Sequence, residues 1–146
     1  MRELPRQLTV DELAELFEGR TALVERLAET EHPLERAGGV IGQLTEEEKL
    51  AAVDAHPAIG ERTGLSARSA AEQGADDDPD VLAELAELNR LYEDRFGFRF
   101  VVFVNRRSKA ELVPVLRDRL RRARDEELDT ALSELVAIAR DRWQRG

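Results

Sequence analysis

Four times along this chain a serine or threonine stands three residues ahead of a glutamate at the head of a block with helical spacing: Thr9 with Glu12, Thr45 with Glu48, Ser69 with Glu72, and Ser108 with Glu111. In that arrangement the hydroxyl accepts from the third helical N–H while the carboxylate reaches back to the capping N–H, so two orphan donors are satisfied locally. A chain punctuated in this way is built to start helices. Composition agrees: 36% of residues are charged and only 5% aromatic, a balance that suits amphipathic helices better than strands.

The capping pairs and apolar spacing predict a helix from Thr9 to about Phe17, a second over about Thr21 to Thr30, and a third opened by Thr45. The third ends at His56-Pro57, because a residue before proline is pushed out of the helical region. A long helix over Pro79 to about Phe96 carries Val81, Leu85, Leu88 and Tyr92 at i, i+4, i+7 and i+11, and Gly97 stops it. Ser108 opens another, which Pro114 is expected to kink or delay. The last runs from about Asp125 to Trp143, with Leu128, Leu132, Leu135, Val136, Ile138 and Ala139 as its apolar stripe. The acidic stretch GADDDPD reads as an exposed linker.

One segment breaks the pattern. FRFVVFV, residues 98 to 104, has the β-branched and aromatic content of a strand but no partner strand in the chain. It is expected as a buried extended segment threading the helices, with backbone donors and acceptors left to find other partners. With 146 residues, enough to bury a core without staples, the expectation is one domain, residues 1–146: an all-α, compact helical bundle of irregular connectivity.

Several functions are set aside by the residues. There is no cysteine, so disulfide chemistry, thiolate catalysis and cysteine-based zinc sites are excluded, while a reducing compartment is allowed. Two histidines, with neither HExxH nor an aspartate-rich calcium loop, do not make a metal site, and no phosphate loop or GxGxxG is present. A net charge of -9 opposes nucleic-acid binding. The basic run Arg117, Arg119, Arg121, Arg122 and Arg124 is interleaved with acids and reads as a solvated helix face. No apolar run is long enough for a signal peptide or a membrane span, so a soluble, cytoplasmic protein without membrane partners is expected.

Histidine exchanges protons near neutral pH, which draws attention to both of them. His32, between Glu31 and Pro33, reads as an exposed loop residue. His56 lies one turn after Ala52 and Val53, at the edge of the core, where a hydrogen-bonded structural histidine is the commoner outcome. Glu72 is either a helix cap or, if the fold brings it to His56, half of an acid–base pair. Arg142 falls seven residues after Leu135 and fourteen after Leu128, roughly on the apolar stripe; its guanidinium there either meets a carboxylate or snorkels to water.

Taken in series, HPAIG at 56–60, SAAEQG at 69–74, LNRLYEDRFGFRFVV at 88–102 and IARDRW in the terminal helix resemble the 2-oxo-4-hydroxy-4-carboxy-5-ureidoimidazoline (OHCU) decarboxylase family over about the last two-thirds of the chain. The N-terminal third departs from it, with ETEHPLERAGG where an RPF-like element is expected. The resemblance implies an all-α homodimer that acts on a small-molecule substrate late in urate degradation and needs no metal or organic cofactor. By position it makes His56 and Glu72 the catalytic pair. Pro57, Ser69, Gln73, the backbone of Phe100, Val101 and Val102, and Arg142 match substrate-binding positions. Two other readings stay open: a drifted homologue for a related ureido or imidazoline compound, and a non-catalytic helical module that binds a partner.

Overall fold

A computed structural model describes residues 3–59 and 78–146. Among these residues there are seven helices and no strand: α1 (Val10–Phe17), α2 (Ala22–Ala28), α3 (Pro33–Gly42), α4 (Glu46–Asp54), α5 (Pro79–Phe96), α6 (Lys109–Arg119) and α7 (Arg124–Arg145). Three of the four capping pairs form as read. At α1, α4 and α6 the hydroxyl accepts from the third helical N–H and the glutamate accepts from the cap. The fourth, Ser69 with Glu72, lies outside the described residues.

The long terminal helix α7 organises the domain. It packs against α1, α3 and α4, α2 bridges α1, α3 and α4, and α5 pairs with α6. Its buried face holds all six residues of the expected stripe, together with Ala131, Glu127 and Arg142. Leu13, Leu23, Leu34, Leu85, Phe100, Leu116 and Leu132 come from different elements into one apolar core.

Three local expectations need correction. The stretch around His32 is not a polar loop: Pro33 opens α3 at its first position, and Leu34 and Ala37 are buried. Three glycines in this helix, Gly38, Gly39 and Gly42, hide its helical character from a propensity reading. His32 itself is half-buried in the left-handed region, φ 52, and its N–H donates to the Arg6 carbonyl at 2.7 Å. Pro114 does not delay α6, which starts at Lys109, directly after its cap. Pro114 and Ala110, whose carbonyl it deprives of the usual i+4 donor, both face solvent, so that carbonyl need not be buried without a partner. Finally, the buried face of α5 runs through Leu85, Asn89, Tyr92 and Phe96, with Val81 and Leu88 only half-buried on its flank.

Residues 98–104 belong to no helix and pair with no strand among the described residues, and Phe98, Phe100, Val101, Val102 and Val104 are buried, as expected. Tyr92 meets the rings of Phe96, Phe98 and Phe100 at 4.6, 5.9 and 5.3 Å between centroids. This aromatic cluster anchors the segment between α5 and α6.

Candidate active site

His56 follows the last turn of α4, and its N–H donates to the Val53 carbonyl at 3.2 Å. Its side chain is only 5% exposed, and neither ring nitrogen has a partner among the described residues. Burial is the main cause that lowers its pKa to about 4; the positive charge of Arg142 adds to this and the negative charge of Glu18 opposes it. The resting imidazole is therefore neutral at physiological pH, with one ring nitrogen free to accept a proton.

Arg142 lies on the core side of α7, as its spacing indicated, and is 1% exposed. It does not snorkel. One guanidinium nitrogen pairs with Glu18 at 3.0 Å, and another donates to the carbonyls of Glu15 and Leu16 at 3.3 and 3.2 Å. Those carbonyls belong to the last turn of α1, where partners within the helix run out and the helix dipole is negative. Glu18 is the C-cap of α1 in the left-handed region, φ 66, a position glycine normally fills. A carboxylate held there points to a need for its side chain.

The backbone at 100–102 is supported from below. Arg119 donates to the Val101 carbonyl at 2.6 Å and sits 4.6 Å from the centroid of the Phe100 ring. It also pairs at 2.7 Å with Glu127, which is 0% exposed and accepts from the Tyr92 hydroxyl at 2.5 Å and from Arg122 at 3.0 Å. The reading of the basic run as a solvated face therefore fails at Arg119, which is buried and structural. Phe100, Val101 and Val102 are buried residues whose N–H groups make no hydrogen bond to another described residue.

Pro57 is half-buried beside His56. Glu72, Ser69 and Gln73 lie outside the described residues. Three further groups bear on the site without having stood out in the sequence: Glu18, Asn89 and Arg99. Asn89 donates to the Ile59 carbonyl at 2.9 Å, and Arg99 donates through its side chain to the His56 carbonyl at 2.8 Å. Their signal in the sequence was slight, a polar residue one position off an apolar stripe and an arginine inside an apolar run. A groove of about 490 Å³ between α3, α4 and α7, lined among others by Gly38, Lys49, Ser133 and Arg140, contains none of these groups. The buried ionisable groups Arg142 and Glu18 converge on His56, away from this groove.

A model of the OHCU decarboxylase family matches residues 2–144. The chain belongs to this family. The match includes the divergent N-terminal third, so the kinship extends beyond the two-thirds legible from the motifs. Among its relatives is the 2-oxo-4-hydroxy-4-carboxy-5-ureidoimidazoline decarboxylase of Halalkalicoccus jeotgali, 28% identical over 95% of this chain and 85% of that protein. The uric acid degradation bifunctional protein PucL of Bacillus subtilis is 29% identical over 97% of this chain, which spans 31% of that longer protein. A crystal structure of OHCU decarboxylase in the presence of (S)-allantoin superimposes with a TM-score of 0.71 and 26% identity, covering 90% of this chain and 94% of that one. Among the described residues no helix is long and apolar enough to cross a membrane, and no cluster of three or more ligating side chains could hold a metal ion.

Proposed function

We propose that this OHCU decarboxylase family member removes carbon dioxide from 2-oxo-4-hydroxy-4-carboxy-5-ureidoimidazoline and delivers (S)-allantoin, with His56 as the proton-transfer group and Glu72 as its partner. The observation that carries the reading is the buried, neutral His56 beside the buried Arg142 in a chain of this family.

The substrate itself supplies the electron sink. Breaking the bond to the carboxylate leaves an electron pair on a ring carbon that also bears a hydroxyl, and the adjacent imine-like carbon and its nitrogen take up that pair. The nitrogen collects a proton from solvent. As the hydroxyl-bearing carbon becomes a carbonyl it gives up its O–H proton, and the neighbouring carbon takes one on a single face. A neutral imidazole suits that exchange, because it can accept the first proton and return it to carbon. Delivery from one side sets the configuration.

Arg142, Ser69 and the Gln73 amide orient the polar ring and ureido groups, Pro57 packs on the ring, and the buried N–H groups at Phe100, Val101 and Val102 supply donors of fixed geometry. Glu72, Ser69 and Gln73 take these roles from the family resemblance. The same resemblance carries a homodimer, and the cysteine-free composition is compatible with a cytoplasmic setting.

The substrate is short-lived and is best generated in place from urate with uricase and hydroxyisourate hydrolase, the circular dichroism of allantoin reporting the product. The parent protein is expected to accelerate the (S) signal and the His56→Asn variant to lose that acceleration while keeping its helical spectrum. A parent without effect would favour the drifted or non-catalytic alternatives, and an active His56→Asn variant would remove His56 from the chemistry.

A further inference from the structure

The four residues His56, Pro57, Ala58 and Ile59 follow α4 and belong to no regular element. Within this turn, the only backbone hydrogen bond between described residues is the one from the His56 N–H to Val53. Pro57 has no N–H to offer. Proton transfer to one face of a ring loses rate steeply with displacements on the order of 1 Å, so the groups that fix this turn bear on the aim of the imidazole.

Two side chains from other elements grip the turn by its carbonyls. Arg99, at the head of the extended segment, donates through its guanidinium to the His56 carbonyl at 2.8 Å, and its own N–H donates to Asp54 at 3.1 Å. Asn89, on α5, donates from Nδ2 to the Ile59 carbonyl at 2.9 Å. The two bonds bracket the turn at its first and last residues.

Asn89 is a costly choice for that place. It is 8% exposed, its buried neighbours on α5 are Leu85, Tyr92 and Phe96, and its Oδ1 is buried without a partner. An unsatisfied buried acceptor costs about 1–3 kcal/mol, and such groups are rare in native proteins. Leucine there would remove the stranded Oδ1 but strand the Ile59 carbonyl instead, so stability alone gives no strong preference for the amide. The amide is retained for what its donor holds.

We propose that Asn89 and Arg99 are positioning residues for the decarboxylation, a two-point clamp that fastens the His56–Ile59 turn and so aims the His56 ring. The inference rests on the role given to His56 above. Neither residue is assigned contact with the substrate.

The test measures kcat, KM, the enantiomeric excess of allantoin and the melting temperature for Asn89→Leu, Arg99→Leu, Arg99→Lys and His56→Asn. The clamp requires kcat to fall by about tenfold or more in Asn89→Leu and Arg99→Leu with KM within about twofold, and the (S) excess to erode. Asn89→Leu should melt close to the parent, because the stranded Oδ1 it removes offsets the Ile59 carbonyl it strands, and a merely structural role would not lose kcat without melting lower. Arg99→Lys keeps a donor and should recover about threefold or more over Arg99→Leu. If Asn89→Leu does not fold, the Arg99 pair decides. An inactive His56→Asn with both leucine variants within about twofold of the parent overturns the clamp alone. So does a loss of kcat that follows the melting temperature and is not relieved by lysine. An active His56→Asn overturns the role of His56, and the clamp with it.

Discussion

Arg142 and Glu18 meet at 3.0 Å inside the domain, 1% and 12% exposed, and the positive member lies close enough to His56 to lower its proton affinity. The last helix and the end of the first are thereby joined by a charge pair at the edge of the candidate site. Removing one partner from such a pair leaves an uncompensated buried charge, which costs about 3–5 kcal/mol. Glu18→Ala is therefore expected to lower urea-unfolding stability by about 3 kcal/mol, toward the small end because Arg142 keeps its bonds to the α1 carbonyls. The loss of Glu18 also removes a charge that favours imidazolium. NMR titration of the His56 ring in Glu18→Gln should find its pKa below that of the parent.

His56 gives the protein a characteristic acid response. Its pKa in the folded state is about 4, against 6.5 for an ordinary histidine, so below pH 6.5 the unfolded chain binds a proton that the folded chain refuses. The stability associated with a neutral His56 is whole above pH 6.5, declines as pH falls toward 4, and is lost below that. Two and a half decades in affinity correspond to about 3 kcal/mol. Urea midpoints measured from pH 7 to 4 should flatten over this window in His56→Gln relative to the parent. The same depression should hold the acid limb of kcat/KM below pH 5, where an unperturbed histidine would place it near 6.5.

Arg119 and Glu127 form the prop under the 100–102 backbone, and both are buried. Arg119→Met strips Glu127 of a counter-charge and Val101 of its carbonyl partner, for an expected loss of about 3–5 kcal/mol. Adding Glu127→Leu removes a carboxylate left with Arg122 as its remaining counter-charge and should recover part of that loss, less the bond from the Tyr92 hydroxyl, since apolar replacement of a whole buried pair is often close to neutral. A chemical-denaturation cycle over the two singles and the double checks this; additive losses would contradict it.

Thr45 acts at one remove from the chemistry. Its capping box starts α4, the helix whose last turn carries His56. Thr45→Ala should cost about 1 kcal/mol in thermal or chemical denaturation. With the turn held from its other side, KM and the configuration of the product should not change.

Much of the fold was legible because its signals are local. Capping boxes are satisfied within four residues, the C-cap glycine at Gly97 and the stripe of α7 follow from covalent geometry and spacing, and these, with the three boxes among the described residues, came out as read. The helix α3 was missed because three glycines weaken its propensity, and burial of Leu34 and Ala37 against its neighbours outweighs that deficit. The path of α6 through Pro114 depended on which side of the helix faces water. The motifs located His56, and the period of α7 turned Arg142 inward. Glu18, Asn89 and Arg99 left almost no trace, since each makes its decisive contact with a residue far along the chain: Asn89 to Ile59, Arg99 to His56, Glu18 to Arg142.

By itself, then, the order of residues determined where most of the helices begin and end, that an arginine falls on the apolar stripe of the last helix, and that a histidine stands where a helix breaks at proline. Those are properties of spacing and of the nearest few peptide groups. The tertiary structure alone decided that Arg142 pairs with Glu18 at the end of α1, that His56 is dry enough to remain neutral, and that its turn is gripped by Asn89 and Arg99. Desolvation and ion pairing depend on everything packed around a group, and that environment exists only once the distant helices have closed on one another.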